Sequence, residues 1–369
     1  MWRCPISTDR TTSSRDCARA VWWVITGTRP GRGRRASCRQ CRTTRSRRAD
    51  GAHAAGHARP PGSAVVMVNG ATPPEVEIDE PLVRGLLRVQ CPAVADLPLA
   101  PFNNGWDNDI WALGDELLVR LPRREVAAEL VLNEQRVLPL LAHRLTLPVP
   151  VQLHDGMPQG AYPWHWSVVP RFPGARAAES TLRSQEVEAL RLARFLRALH
   201  EPAPDDAPEN VFRGGPLSSR TDTFLELKDL IPCTELGYDI LRMEHVWSRA
   251  EAGPQWTAPP VWLHGDLHAA NILVDDGRIS AVIDWGDVCS GDPACDLAVA
   301  WMLFDAEARE VFLREYGDAS PGLRARAGAW ALLFGLIYWR ASDGDPLMAI
   351  MSRAVLDRIV PVGRASDDL

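Results

Sequence analysis

The sequence predicts an α+β protein in two lobes: a small N-terminal lobe with an antiparallel sheet and a larger, mostly helical C-terminal lobe. Alternating strand patterns separated by turn residues dominate between residues 110 and 169. Helical apolar patterns dominate from residue 184 onward, interrupted by one hairpin whose strand ends carry polar residues. Strands first and helices later is the order typical of α+β proteins.

Residues 1–66 differ in composition from the rest of the chain. Residues 1–63 carry 14 arginines against three acidic residues and show no sustained periodicity. We interpret the segment as a basic extension that is disordered or translated from an upstream start codon, so that Met67 would begin the working protein. We expect the N-lobe to span residues 67–171 and the C-lobe residues 172–369.

Two other interpretations of the basic segment are less favoured. Cys38, Cys41, His53 and His57 approach zinc-finger spacing, but no large apolar residue lies between the two pairs to pack beneath a metal. A basic tail could also bind nucleic acid, although no recognition motif accompanies it. We therefore expect neither zinc nor nucleic acid as a partner.

The composition after the basic segment indicates a cytoplasmic protein. From residue 64 onward the chain carries 27 basic and 44 acidic residues, which fits either simple solubility or a pocket that attracts a cationic substrate. The eight cysteines are too few for a disulfide scaffold in 369 residues. No apolar run reaches the length of a membrane span, so we expect no membrane association.

The N-lobe elements follow from turns and apolar spacing. An amphipathic helix is expected within Val76–Ala95, and a second one over Arg124–Arg144. Asn103–Asn108 is interpreted as a turn that precedes the first hairpin. The strands that we expect to contribute to a five-stranded antiparallel sheet are Ile110–Leu113, Leu117–Leu121, Leu147–Leu153 and Trp166–Val169.

The C-lobe is predicted to be helical around its hairpin. The expected helices are Ser184–His200, one or two within Thr221–Ala250 broken at Pro232, one starting at Asp292-Pro293, and then Ala306–Tyr316, Pro321–Trp339 and Pro346–Ile359. Asp292 is interpreted as a helix N-cap. Asp296 lies in the first turn, where a carboxylate favours the helix dipole.

The hairpin itself is the most informative stretch of the chain. Val261–Leu263 and Ile272–Val274 are predicted strands, and Asp275-Asp276-Gly277 is a strong turn signal before the return strand Ile279–Ile283. The polar residues Asp266, Asn271 and Asp284 lie at the ends of these strands. A hairpin needs no such groups for packing, so they call for a chemical explanation.

The spacing of these polar residues is that of a kinase-type site. Asn271 follows Asp266 by five positions, and Asp284-Trp285-Gly286 comes after the hairpin. His264-Gly265-Asp266-Leu267-His268-x-x-Asn271 together with Ile283-Asp284-Trp285 resembles the aminoglycoside phosphotransferase family, small-molecule relatives of protein kinases. The resemblance extends over about residues 96–359 and implies a protein-kinase-like fold.

The motif and the resemblance assign roles. Asp266 would orient the acceptor hydroxyl and accept its proton, and Asn271 and Asp284 would hold Mg²⁺. The resemblance implies transfer of the γ-phosphate of ATP or GTP to a hydroxyl of a small molecule, such as an aminoglycoside or another antibiotic. Relatives that phosphorylate choline, homoserine or sugars make a metabolic kinase the alternative.

The expected nucleotide contacts lie in the N-lobe. Arg120 stands where kinases place the lysine that contacts the α- and β-phosphates, and Glu134 is its expected partner, with Glu129 as the alternative. Gly105 is either a phosphate-loop glycine or part of a plain turn. The backbone of Val168, Val169 and Arg171 is expected to form the hinge that binds the base ring.

Two other function classes fit less well. Three potential metal ligands, His264, Asp266 and His268, occupy alternate positions, as in a strand of a metal-dependent hydrolase. However, Gly265 indicates a loop, and the other histidines form no second ligand cluster. We therefore expect both histidines to be structural. A non-catalytic nucleotide-binding protein is disfavoured because Asp266, Asn271 and Asp284 are all present.

Overall fold

The computed structural model describes residues 74–104, 107–317 and 320–361. It confirms the α+β architecture, with an antiparallel sheet in the N-terminal part and helices in the C-terminal part. The extension over residues 1–66 and its cysteine and histidine pairs lie outside the described residues. The lobe boundaries at residues 67 and 171 remain a prediction.

The N-lobe is a five-stranded antiparallel sheet with two helices. The strand order is β1-β2-β3-β5-β4, and helix α2 connects β3 to β4. The elements are α1 (Glu80–Gln90), β1 (Leu99–Asn104), β2 (Asn108–Leu113), β3 (Leu117–Pro122), α2 (Glu125–Ala142), β4 (His154–Gly156) and β5 (Trp166–Pro170).

Alternation along the strands gives this lobe its own core. In β2 every second side chain is buried, including Trp111 and Leu113, as expected for a sheet with one apolar face. That face packs on Leu86 and Leu87 of α1 and on the fully buried indole of Trp166. The sheet that carries Arg120 is therefore fixed on one side by apolar burial.

Two local predictions in this lobe were wrong. Asn103 and Asn104 belong to β1, the edge strand, rather than to the turn that follows it. Leu147–Leu153 is not a strand, because Pro148 and Pro150 lack the N–H groups that a ladder requires. The Pro148 carbonyl instead accepts a hydrogen bond from Val282 N at 3.0 Å, so this segment contacts the C-lobe hairpin.

The C-lobe consists of nine described helices around a few short strands. The helices are α3 (Gln185–Leu199), α4 (Thr221–Leu230), α5 (Cys233–Leu236), α6 (Ile240–Ala252), α7 (Ala294–Leu297), α8 (Val299–Leu303), α9 (Ala306–Tyr316), α10 (Pro321–Ala341) and α11 (Pro346–Ile359). Helix α10 is apolar on all sides and mostly buried, so it forms the centre of the lobe. In the described part of the chain, no helix is both long and apolar enough to cross a membrane.

The strands of the C-lobe form two small antiparallel sheets. They are β6 (Ala175–Arg176), β7 (Val261–Leu263), β8 (Ile272–Asp275), β9 (Arg278–Val282) and β10 (Cys289–Gly291). β8 and β9 form the predicted hairpin, and β7 pairs with β10. The turn places Asp276 at φ 48° and Gly277 at φ 72°, which is why an Asp-Gly pair occupies it.

Two glycines offer a paired test of the N-lobe packing. A Cβ atom at Gly156 would overlap the indole ring of Trp166, whereas one at Gly85, inside helix α1, meets no atom within 4 Å. We expect Gly156→Ala to lower the free energy of unfolding by about 1–3 kcal/mol through overpacking. Gly85→Ala should raise it by about 0.5–1 kcal/mol through helix propensity. Urea unfolding of both variants checks this, and equal effects would contradict the packing described.

Candidate active site

The three polar residues of the motif meet at one end of the β8–β9 hairpin. Asp266 lies in the loop between β7 and β8, Asn271 directly precedes β8, and Asp284 follows β9. Ile272 pairs with Val282 in the ladder, and the Asn271 carbonyl accepts from Ile283 N at 2.9 Å. The hairpin register therefore brings Asn271 and Asp284 to the same edge, as the sequence predicts.

Asp266 is fixed by contacts to both of its carboxylate oxygens. Oδ1 lies 3.1 Å from Nη2 of Arg213, and Oδ2 lies 3.2 Å from Nε2 of His268. Nδ2 of Asn271 donates to the Asp266 carbonyl at 2.9 Å. Burial by itself would raise the pKa of Asp266, but the electrostatic interactions with His268 and Arg213 outweigh it and hold the pKa below its ordinary value.

Two histidines fix the loop around Asp266. Nδ1 of His264 accepts from Asp266 N at 3.3 Å, so its Nε2 carries the proton and donates to the Ile283 carbonyl at 3.0 Å. Nδ1 of His268 accepts from Ala270 N at 3.2 Å, which leaves Nε2–H to donate to Asp266. His264 thus ties the loop of Asp266 to the residue before Asp284.

Asp296 has a larger role than a charge at a helix end. Its carboxylate is fully buried and accepts from His264 N at 2.7 Å and from Gly265 N at 2.9 Å. Nε2 of His200 lies 3.2 Å from its Oδ2. The prediction that Asp296 acts on the helix dipole missed this function, although a carboxylate in an apolar helical run signals a buried partner.

Asp292 also differs from its predicted role. Its Oδ1 accepts from Ala294 N at 3.0 Å, but its main partner is the buried Arg326, with Nε and Oδ2 2.6 Å apart. The helix cap predicted from sequence is therefore part of a buried ion pair that joins α7 to α10.

Arg120 pairs with Glu134, as expected, and also reaches the hairpin. Nη1 lies 2.6 Å from Oε1 and 2.8 Å from Oε2 of Glu134, while Nη2 lies 3.1 Å from Oδ1 of Asp284. Burial by itself would lower the pKa of Arg120, but the carboxylates of Glu134 and Asp284 raise it above its ordinary value. The guanidinium therefore keeps its proton. One planar guanidinium thereby links helix α2, the sheet and the C-lobe hairpin.

The other predicted nucleotide residues are Gly105 and the hinge residues Val168, Val169 and Arg171. Gly105 lies outside the described residues. Val168 and Val169 are buried in β5, and the Val168 carbonyl accepts from Leu153 N at 2.8 Å. Arg171 N donates to the Glu116 carbonyl at 2.7 Å, and its guanidinium lies over the Phe102 ring. These particular backbone groups are engaged within the sheet, so a hinge contact there remains a prediction.

Two further acidic residues lie near the site: Asp107, and Asp287, whose position just past Asp284 in the sequence left its role open between a substrate contact and solvent exposure. Oδ1 of Asp107 lies 2.9 Å from Nη2 of Arg124. Burial raises the pKa of Asp107 to about 6, although the charge of Arg124 acts in the opposite direction. Asp287 accepts from Nδ2 of Asn210 at 2.7 Å, and burial raises its pKa as well. Asp284 adds to both shifts. The site is therefore rich in carboxylates that a bound cation would stabilise.

The donor set suits Mg²⁺ bound together with a nucleotide. Nδ2 of Asn271 is used toward the Asp266 backbone, which leaves its amide oxygen as a ligand atom. The Asp284 side chain is 55% exposed and only its Oδ1 contacts Arg120. Two oxygen ligands are enough for Mg²⁺ when phosphates and water complete its shell.

A hydrolase-type metal site does not form from the alternating histidines. Both ring nitrogens of His264 are engaged by backbone groups, so His264, Asp266 and His268 do not converge on one point. Within the described ranges, no group of three His, Cys, Asp or Glu side chains is placed to hold a metal.

Comparisons with known proteins agree with this geometry. Residues 98–330 match the phosphotransferase enzyme family APH. The chain is 30% identical over 251 residues to viomycin phosphotransferase of Streptomyces vinaceus, covering 63% of this chain and 84% of that protein. It is 28% identical over 167 residues to an aminoglycoside 3'-phosphotransferase of Escherichia coli, covering 43% of this chain and 60% of that protein.

Solved structures show the same fold. The GDP and kanamycin complex of APH(2")-IIia superposes with a TM-score of 0.58 at 17% identity, covering 75% of this chain and 98% of that one. The GDP complex of aminoglycoside 2'-phosphotransferase-IIIa gives a TM-score of 0.57 at 15% identity, covering 76% and 98%. These likenesses confirm the predicted bilobal kinase-like fold.

Removing Glu134 should destabilise the protein. Glu134→Ala leaves the buried Arg120 without its principal partner, so we expect the free energy of unfolding to fall by about 3–5 kcal/mol. Glu129→Ala on the exposed face of the same helix is the matched control and should stay within about 0.5 kcal/mol. Chemical denaturation measures both, and similar losses would contradict a structural ion pair at Glu134.

Proposed function

The chain belongs to the phosphotransferase enzyme family APH, and we propose that it transfers the γ-phosphoryl group of ATP or GTP to a hydroxyl group of an antibiotic. The observation that carries this proposal is the cluster of Asp266, Asn271 and Asp284 at the open end of one hairpin. Arg120 contacts Asp284 from the sheet side, where a nucleotide would lie between the two lobes.

Asp266 is the residue that handles the acceptor. The new bond forms between the acceptor oxygen and the γ-phosphorus, while the bond from that phosphorus to the β–γ bridging oxygen breaks. ADP or GDP leaves with the electron pair on that oxygen, and the acceptor proton passes to the Asp266 carboxylate. Because the pKa of Asp266 lies below its ordinary value, its main contribution is to orient the hydroxyl rather than to remove the proton early. A loose transition state requires little more from a base.

Asn271 and Asp284 are proposed to hold Mg²⁺. When bound, the ion would neutralise charge on the nucleotide phosphates. Asp284 has φ 63°, a conformation that few residues other than glycine adopt, and its carboxylate remains accessible there. His264 fixes this strained position through the Ile283 carbonyl.

Arg120 is proposed to contact the non-transferred phosphates. Its guanidinium is oriented by Glu134, which limits the reorganisation that nucleotide binding requires to the contact between Nη2 and Asp284. Glu134 would act through Arg120, and Gly105, Val168, Val169 and Arg171 remain the predicted contacts of the phosphates and the base ring.

The relatives and the charge of the site support an antibiotic as the acceptor. Viomycin phosphotransferase, aminoglycoside 3'-phosphotransferase and hygromycin-B 4-O-kinase are among the similar proteins. Asp107 and Asp287 add carboxylates beside Asp266 and Asp284, which favours a cationic acceptor. We propose a cytoplasmic enzyme because ATP and GTP are available there.

A phosphorylation panel would test the acceptor. The purified chain with Mg²⁺ and either ATP or GTP is incubated with viomycin, hygromycin B, aminoglycosides, macrolides, choline, homoserine and sugars. We expect a product heavier by one phosphoryl group, seen by mass spectrometry, with at least one antibiotic. Phosphorylation of choline, homoserine or a sugar alone would instead establish the metabolic alternative.

Asp266→Asn should abolish most of the transfer while preserving the site geometry. The amide cannot accept the proton, so we expect kcat to fall by about 100-fold or more with little change in the KM for nucleotide. Asp276→Asn makes the same change in the exposed hairpin turn, where asparagine tolerates the positive φ of 48°, and should leave kcat unchanged. Steady-state kinetics of both variants decide this; an active Asp266→Asn would contradict the assigned role.

A further inference from the structure

A segment far from the motif lies against Asp266. Residues 210–216 run along β10, where the Gly214 carbonyl accepts from Asp292 N at 2.8 Å. Gly214 has φ 67°, and a Cβ atom at Gly291 would overlap the Gly214 backbone. Nδ2 of Asn210 donates a hydrogen bond to Oδ1 of Asp287 at 2.7 Å. These contacts fix the backbone on both sides of Arg213.

The Arg213 side chain is also fixed, and one terminal nitrogen of its guanidinium contacts Asp266. Its guanidinium lies 5.0 Å from the centre of the Phe334 ring, and its side chain is only 12% exposed. Nη2 lies 3.1 Å from Oδ1 of Asp266, whereas the buried Nε has no hydrogen-bond partner among the described residues. Aromatic stacking thus orients a buried cation toward one carboxylate oxygen.

We propose, on the basis of the phosphotransferase function above, that Arg213 is a positioning residue for Asp266. With Oδ1 held by Arg213 and Oδ2 by His268, the carboxylate has one orientation in which it can meet an acceptor hydroxyl. Rotation of the carboxylate would cost both contacts, so the hydroxyl is aligned with the phosphorus without a search over orientations.

The charge of Arg213 serves the same step. Asp266, Asp284 and Asp287 would repel the oxygens of the transferring phosphoryl group if no cation offset them. Arg120 contacts Asp284 on the nucleotide side, and Arg213 contacts Asp266 on the acceptor side. Loss of Arg213 should therefore slow the chemical step more than it weakens nucleotide binding.

A second buried arginine provides a matched control. Arg220 stacks on Phe212 at 5.3 Å from the ring centre, and its buried Nε has no hydrogen-bond partner among the described residues. Burial lowers the pKa of Arg220 to about 10, and the neighbouring Arg213 adds to this effect. Arg220 is thus a second buried arginine stacked on an aromatic ring, but it lacks the ion pair that Arg213 makes with Asp266.

The test compares Arg213→Ala, Arg213→Lys and Arg220→Ala in the full chain with Mg²⁺ and nucleotide. Transfer is measured to the best acceptor of the panel and, without an acceptor, to water. For Arg213→Ala we expect kcat to fall on the order of 10- to 100-fold with an unchanged KM for nucleotide. Arg213→Lys should recover part of this loss, and Arg220→Ala should stay near the wild-type value.

Guanidinium added well below denaturing concentrations is the decisive readout. It should restore part of the kcat of Arg213→Ala, because it can occupy the space beside Phe334, and sodium chloride at equal ionic strength should not. Wild-type kcat in a folded Arg213→Ala would overturn the proposal, as would a loss that neither guanidinium nor Arg213→Lys relieves. A wild-type chain that transfers phosphoryl to neither acceptor nor water would overturn the phosphotransferase function itself, and this inference with it.

Discussion

The buried carboxylate of Asp296 is the constraint on which the rest of the site depends. An ionised carboxylate is stable in an apolar helical core only when hydrogen bonds saturate it, and here the backbone N–H groups of His264 and Gly265 do so together with His200. The helical core thereby dictates the path of the loop that presents Asp266. Gly265 adopts φ 85° at this point, and a Cβ atom there would overlap the Asp287 carbonyl.

A series of hydrogen bonds connects that loop to the hairpin and to the N-lobe. His264 connects the loop to Ile283, the hairpin register connects Asn271 to Ile283, and Arg120 connects Asp284 to Glu134 on helix α2. Arg120 is thus a charged contact between the two lobes, and apolar residues of helix α2 (Val137, Leu138 and Leu141) also pack in the core of the C-lobe.

The sequence was sufficient where a local pattern dictates the contact. The Asp275-Asp276-Gly277 turn sets the hairpin, although a register shift between Leu273 and Val274 is also needed to place Asn271 opposite Ile283. Arg120 and Glu134 meet because a strand leads directly into a helix. The strand predicted over Leu147–Leu153 was wrong because the prediction rested on the apolar residues of the segment and neglected its two prolines. Arg213 was missed because its distance of 53 residues from Asp266 leaves no spacing rule to find it. Asp296 was misjudged because its partners are backbone groups, which no sequence pattern displays.

The most direct test of the proposed site is a crystal structure of the chain with Mg²⁺ and a non-hydrolysable analogue of ATP or GTP. We expect a metal ion bonded to the amide oxygen of Asn271 and the carboxylate of Asp284 at about 2.0–2.1 Å, with the terminal phosphate facing Asp266. A nucleotide bound elsewhere, or a metal that contacts neither Asn271 nor Asp284, would contradict it.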